Sequence, residues 1–184
     1  TYDSNPIFSI LNIDDDDVYT DLDTVFEALK DIEYKMIEDK EYYDEVLESR
    51  KMIEKLMNKG EHSLTLKELM LLERLDYKPL RPKYGGRKPS FLLIVDDCSH
   101  SKLYSSTGRN KFTNFCLRHR HLAKLGISIF MLVQNFKGLP KCLRQNMTQC
   151  LLWKTHDNTQ LDAVYEELLA NQMGKDQFQQ LYRK

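Results

Sequence analysis

The feature that most constrains this chain is a pair of strand-length apolar runs, Phe91-Leu92-Leu93-Ile94-Val95 and Ile127-Ser128-Ile129-Phe130-Met131-Leu132-Val133. A strand with one wet face alternates apolar and polar residues. Runs that scarcely alternate belong to strands covered on both faces, as in parallel sheets crossed by helices. Between the two runs lie a polar loop and a helical stretch from about Asn110 to Lys124. After them come a short segment around Leu139–Asn146, a predicted strand at Thr148–Lys154, and predicted helices at Gln160–Asn171 and Lys175–Tyr182. Strand, helix, strand in this order predicts an α/β fold with a mostly parallel sheet.

The first half of the chain has a different character. From Asp21 to Lys59, apolar residues such as Leu22, Val25, Leu29, Ile32, Met36, Val46, Ile53 and Leu56 recur at three- and four-residue steps, and Gly60 follows as a stop. The spacing predicts amphipathic helix, broken near Asp39. A second helix is expected over Thr65–Leu75, with Thr65 and Glu68 at capping-box spacing. The opening residues hold a short apolar patch (Ile7, Phe8, Ile10, Leu11, Ile13), then Asp14 to Asp17, a like-charge run expected to form a solvated loop. A turn-rich connection, Lys78 to Ser90, joins the two halves with Pro79, Pro82, Gly85, Gly86 and Pro89.

Charge separates the halves as sharply as pattern does. The formal net charge is −1, yet residues 1–78 carry 10 basic and 21 acidic side chains and residues 79–184 carry 17 and 7. A basic half of this kind fits an anionic partner. With 184 residues the expectation is one domain, neither apolar run approaches the roughly 20 residues of a membrane span, and four cysteines without a CxxC pair fit a reducing compartment. The chain opens Thr1-Tyr2-Asp3 without Met or a signal-peptide pattern, so it reads as a fragment or a processed product.

Within the basic half, residues 79–156 contain 14 Lys or Arg but only two carboxylates, Asp96 and Asp97, side by side at the end of the first apolar run. Adjacent anions repel, and a cation or a moving proton relieves the repulsion. The carboxyl ends of strands are also where open α/β sheets bind ligands. An apolar strand ending in Asp-Asp has the Walker B form, in which the first carboxylate supports Mg²⁺ and the second orients or deprotonates water. Gln134 closes the second run, and in a parallel sheet its amide is expected near Asp97. Arg144, on the segment just after, is a candidate for stabilising charge on a transferred phosphoryl group.

Taken in order, Phe91-Leu92-Leu93-Ile94-Val95-Asp96-Asp97, Arg120-His121, Ile129 to Asn135 ending in Gln134-Asn135, and Leu139-Pro140 with Arg144-Gln145-Asn146 resemble the poxvirus-type genome-packaging ATPases of large DNA viruses and virophages. These form a branch of the FtsK/HerA superfamily. The resemblance covers roughly residues 88–156, and Thr1-Tyr2-Asp3-Ser4 is similar to the family's chain after its second strand. It implies a three-layer P-loop NTPase core of the RecA-like (ASCE) type, with residues 21–78 as an acidic helical insertion, 88–156 as the Walker B and sensor core, and 157–184 as C-terminal helices. It implies ATP and Mg²⁺ as cofactors, with Asp96 supporting Mg²⁺, Asp97 activating water and Gln134 sensing. Arg144 is the implied finger, with Arg118 and Arg120 competing for the role. The implied partners are double-stranded DNA, a homo-oligomeric ring and capsid or portal proteins. The implied setting is host cytoplasm, viral factory or virion, without secretion.

One departure bears on activity. No GxxxxGK[ST] occurs: Gly174-Lys175 has Leu169 where the first Gly belongs and Asp176 where Ser or Thr belongs. The chain therefore reads as part of a packaging ATPase lacking the first strand and phosphate loop, inactive alone, with apolar strand edges exposed. Two alternatives stand beside it. One is a non-catalytic nucleic-acid-binding α/β domain using Lys102, Arg109, Lys111, Arg118, Arg120, Lys124, Lys137 and Lys141 on phosphates. The other is a zinc site drawn from Cys98, His100, Cys116, His119 and His121.

Overall fold

A computed structural model describes residues 13, 15–98, 101–105 and 110–183. The apolar patch Ile7 to Leu11, His100 and Arg109 lie outside them. The chain divides into two compact units: one of Asp31–Leu93 and His119–Ser128, the other of the described residues up to Lys30, Ile94–Arg118 and those from Ile129 onward. The division passes through both strands and through the first long helix.

That helix, α1 (Leu22–Asn58), runs 37 residues without the break expected near Asp39. Its buried positions explain why. Met36, Asp39, Val46, Ser49, Ile53 and Leu56 fall at three- and four-residue steps or their sum, so Asp39 and Ser49 belong to the same stripe as the apolar residues. A polar residue in such a stripe needs a partner, and the turn-rich connection supplies it. Ser49 Oγ accepts from the Leu80 N–H at 3.2 Å, and the Tyr42 hydroxyl donates to the Arg81 carbonyl at 2.8 Å. Tyr84 OH donates to Asp39 at 2.6 Å, and Lys83 Nζ reaches its other oxygen at 3.2 Å while lying 4.9 Å from the Tyr42 ring centroid. Residues 80–84 are thus strapped along α1. The Asp39 bond, with burial, pushes the Tyr84 phenol up to about 12.

Helix α2 (Leu66–Arg74) carries the capping box that its sequence promises. Thr65 Oγ1 accepts from the Glu68 N–H at 3.4 Å, and Glu68 Oε2 accepts from the Thr65 N–H at 2.8 Å. Leu72, fully buried, packs with Ile53 and Leu56 of α1.

Strands β1 (Phe91–Asp96) and β2 (Ile127–Leu132) form where the apolar runs place them and pair as a two-stranded parallel sheet. Helix α3 (Lys111–Leu117) stands between them in sequence, ending well short of the expected Lys124. Residues 118–121 form turns instead, and a short 3-10 helix with left-handed residues Ala123 and Lys124 follows, incompatible with continued α-helix. The sheet departs from the expectation of two covered faces: Val95 and Ile127 are buried, but Leu92, Ile94, Phe130 and Leu132 alternate with the more buried set and are exposed.

Helix α4 (Lys141–Gln145) follows β2. The expected strand at Thr148–Lys154 does not form: these residues are irregular, with Leu151 and Trp153 among the most exposed side chains. An apolar run without a ladder partner has no reason to stay extended, and among the described residues none is offered. Helix α5 (Asn158–Val164), capped by Asp157 on Thr159 and Gln160, continues into a π turn, Tyr165–Leu169. Ala163 and Val164 pack with Phe136, and Phe178 of α6 (Lys175–Arg183) stacks on Tyr165 with ring centroids 5.8 Å apart.

Candidate functional site

The sheet brings two of the sequence-derived residues together. The Asp97 N–H donates to the Leu132 carbonyl at 3.2 Å, carrying the ladder one residue past β1. Gln134, two residues past β2, lies close by, and its Nε2 donates to Asp97 Oδ2 at 3.1 Å. Asp96, Asp97 and Gln134 are all exposed, so the contact sits at an open strand end. Asp97 has φ +48°, a left-handed backbone that Asp adopts more readily than most residues. The loop that follows is tied down locally. Ser101 Oγ donates to the Cys98 carbonyl at 2.8 Å and accepts from the Leu103 N–H at 3.2 Å.

Asn110, which the sequence marks only as the start of a helical stretch, is the node of this loop. It is buried; its Oδ1 accepts from the Thr113 N–H at 2.9 Å, and its Nδ2 donates to the Leu103 carbonyl at 2.9 Å and to Ser105 Oγ at 3.0 Å. One side chain therefore both caps α3 and holds Leu103 and Ser105.

The electrostatics of the strand end are anionic. Partial burial pushes the Cys98 thiol above its usual range, and the carboxylates of Asp96 and then Asp97 push in the same direction. Its Sγ donates to the Asp96 carbonyl at 3.2 Å. Two adjacent exposed carboxylates offer hard oxygen donors, the kind Mg²⁺ takes one or two of while keeping several waters. Mg²⁺ therefore fits the donor set, with Asp96 and Asp97 as the residues that would hold it.

Arg144 is placed differently from a residue waiting for a phosphate. It is buried; its Nε and Nη2 donate to the two oxygens of Glu167 at 2.8 and 2.9 Å, and its Nη1 donates to the Leu139 carbonyl. In turn the guanidinium holds the Glu167 carboxyl below its ordinary range, with Lys141 and Lys137 adding to the effect. Nothing in the sequence marks Glu167, 23 residues away, as this partner.

Of the residues considered for phosphates, Lys102, Lys111, Arg118, Arg120, Lys124, Lys137 and Lys141 are exposed. For the zinc alternative, burial pushes the Cys116 thiol up to about 12, and no group of three or more His, Cys, Asp or Glu able to hold a metal occurs among the described residues. No described helix is long and apolar enough to cross a membrane. No protein-family profile, curated protein or solved structure matches the chain.

Proposed function

We propose that this chain is the Walker B and sensor part of an ATP-hydrolysing motor that packages double-stranded viral DNA into a capsid. The observation that carries the reading is the 3.1 Å contact between Gln134 and Asp97 at the carboxyl ends of adjacent parallel strands. Asp96 and Asp97 would hold Mg²⁺, which supplies charge neutralisation on the phosphates when bound. Asp97 accepts from or orients the attacking water, the step this site can contribute from its own atoms. Gln134 keeps the Asp97 carboxylate in one orientation by donating to a single oxygen. The other oxygen would be the one that takes the water's proton.

The phosphates of ATP need a cradle of backbone amides and a lysine, and this sequence has no GxxxxGK[ST] to provide it. The proposal therefore concerns the intact protein and assigns the chain alone no hydrolysis. An arginine is still needed for the developing charge. Arg144 would reach a phosphate only by leaving Glu167, and Arg118 and Arg120 remain the competing candidates for the role. A homo-oligomeric ring around DNA, and capsid or portal partners, follow from the same reading.

The test is ATP hydrolysis by the intact gene product carrying Asp97→Asn. Loss of two orders of magnitude or more is expected from removing a positioned base, with DNA binding retained. Hydrolysis that survives the change would sink the water-activating role.

A further inference from the structure

Arg144 and Asp39 are the two charged side chains found buried among the described residues. Burial of a guanidinium requires that its donors be met, and Arg144 meets them in a fixed pattern. Its fork engages Glu167 through two bonds, the geometry that makes arginine–carboxylate pairs directional as well as strong. Its third donor goes to the Leu139 carbonyl, and its central carbon lies 5.3 Å from the Phe136 ring centroid.

Both of those last anchors lie in the turn that leaves β2. Gln134 is followed by Asn135, whose Oδ1 accepts from the Lys137 N–H at 2.9 Å, then by the 3-10 turn Phe136–Gly138 and the buried Leu139. The arginine therefore grips this turn at its first and last parts, and Glu167 ties the grip to the π turn after α5. A π turn is a local departure from α-helix geometry that tends to be kept where it serves a site. Gln134 itself is exposed, with three rotatable side-chain bonds. Its amide reaches Asp97 reliably only if the backbone at 134 is held, because a shift of about 1 Å breaks a 3.1 Å contact.

We infer that Arg144 is a positioning residue: paired with Glu167, it fixes the turn after β2 and thereby presents the Gln134 amide to Asp97. The alternative is a finger that leaves the chain for a phosphate. The meaning of this role for catalysis rests on the function proposed above, but the role itself can be measured without ATP.

The experiment is ¹⁵N NMR of the full 184-residue chain, reading the Gln134 side-chain amide pair, identified by its loss in Gln134→Leu. Asp97→Gly, which removes the acceptor, sets the position of the unbound amide. Two variants probe the clamp: Glu167→Gln keeps size and removes charge, and Arg144→Lys keeps charge and removes the fork. In both, the Gln134 signals are expected to move most of the way from the wild-type to the Asp97→Gly position, while the backbone signals of the buried Leu103 and Phe112 stay put. Gln134 signals unmoved in either folded variant would overturn the inference. So would wild-type signals already at the Asp97→Gly position. Leu103 and Phe112 moving along with Gln134 would show general loosening of the core and would overturn it too. Surviving hydrolysis in Asp97→Asn would remove the water-activating role of Asp97 and leave this result standing, so the two failures are distinguishable.

Discussion

Asp39 and the Asp96-Asp97 pair are two places where the described residues set carboxylates against structure, and they are built in opposite ways. Asp39 is buried, 5% exposed, with one oxygen on a tyrosine hydroxyl and the other on a lysine. Asp96 and Asp97 are exposed and adjacent, with a single amide donor held to one Asp97 oxygen. The first site is closed: every charge is matched by a partner from the same unit, and its product is the docking of the strap on α1. The second site is open and carries net negative charge, which a cation or a proton must offset. Burial thus marks the acidic group that holds the fold. Exposure beside the Gln134 amide marks the one proposed for chemistry.

The comparison can be broken most severely by activity. Asp97→Asn in the intact protein is expected to lower ATP hydrolysis by about 100-fold or more, whereas Asp39→Asn should leave the rate per folded molecule unchanged. A rate loss at Asp39 as large as that at Asp97 would erase the distinction. Stability should rank the sites the other way. Asp39→Ala strands the Tyr84 hydroxyl and the Lys83 charge and is expected to cost roughly 1–3 kcal/mol in urea denaturation, while Asp97→Asn, at an exposed position, should stay within about 0.5 kcal/mol. A smaller effect is expected from Tyr84→Phe, about 1 kcal/mol for one hydrogen bond.

The smallest effect is a dependence on pH. The Tyr84 phenol titrates near 12 in the folded chain against an ordinary 10.0. Below pH 10 it is neutral in folded and unfolded chains alike, so its contribution is complete. Between pH 10 and 12 the unfolded chain ionises first, and that contribution falls. Thermal melts across this window should show a loss that Tyr84→Phe removes.

How much of this was legible in the sequence depended on the distance over which each partner is specified. β1 and β2 were legible because a continuous apolar run is a local signal, and the Asp97–Gln134 contact was legible because parallel pairing puts the ends of adjacent strands side by side. The run through Leu151-Leu152-Trp153 carried the same local signal and failed as a strand, since pairing is not local and no partner lies beside it among the described residues. Asp39 looked like a helix break because the residues that satisfy it, Lys83 and Tyr84, lie 44 and 45 positions away. Arg144 looked free for the same reason: a carboxylate 23 residues on, placed by a π turn, leaves no trace in spacing. Exposure of alternate residues in β1 and β2 was illegible too, because the runs themselves carry almost no alternation.

The left-handed backbone at Asp97 has a consequence for which acids the position can accept. Glutamate is the replacement that chemistry would call conservative, and many hydrolytic sites use it. At φ +48° the backbone tolerates Asp and Asn better than longer side chains, and one added methylene would carry the carboxylate past the Gln134 amide now 3.1 Å away. The turn itself, before any question of reactivity, selects the shorter acid.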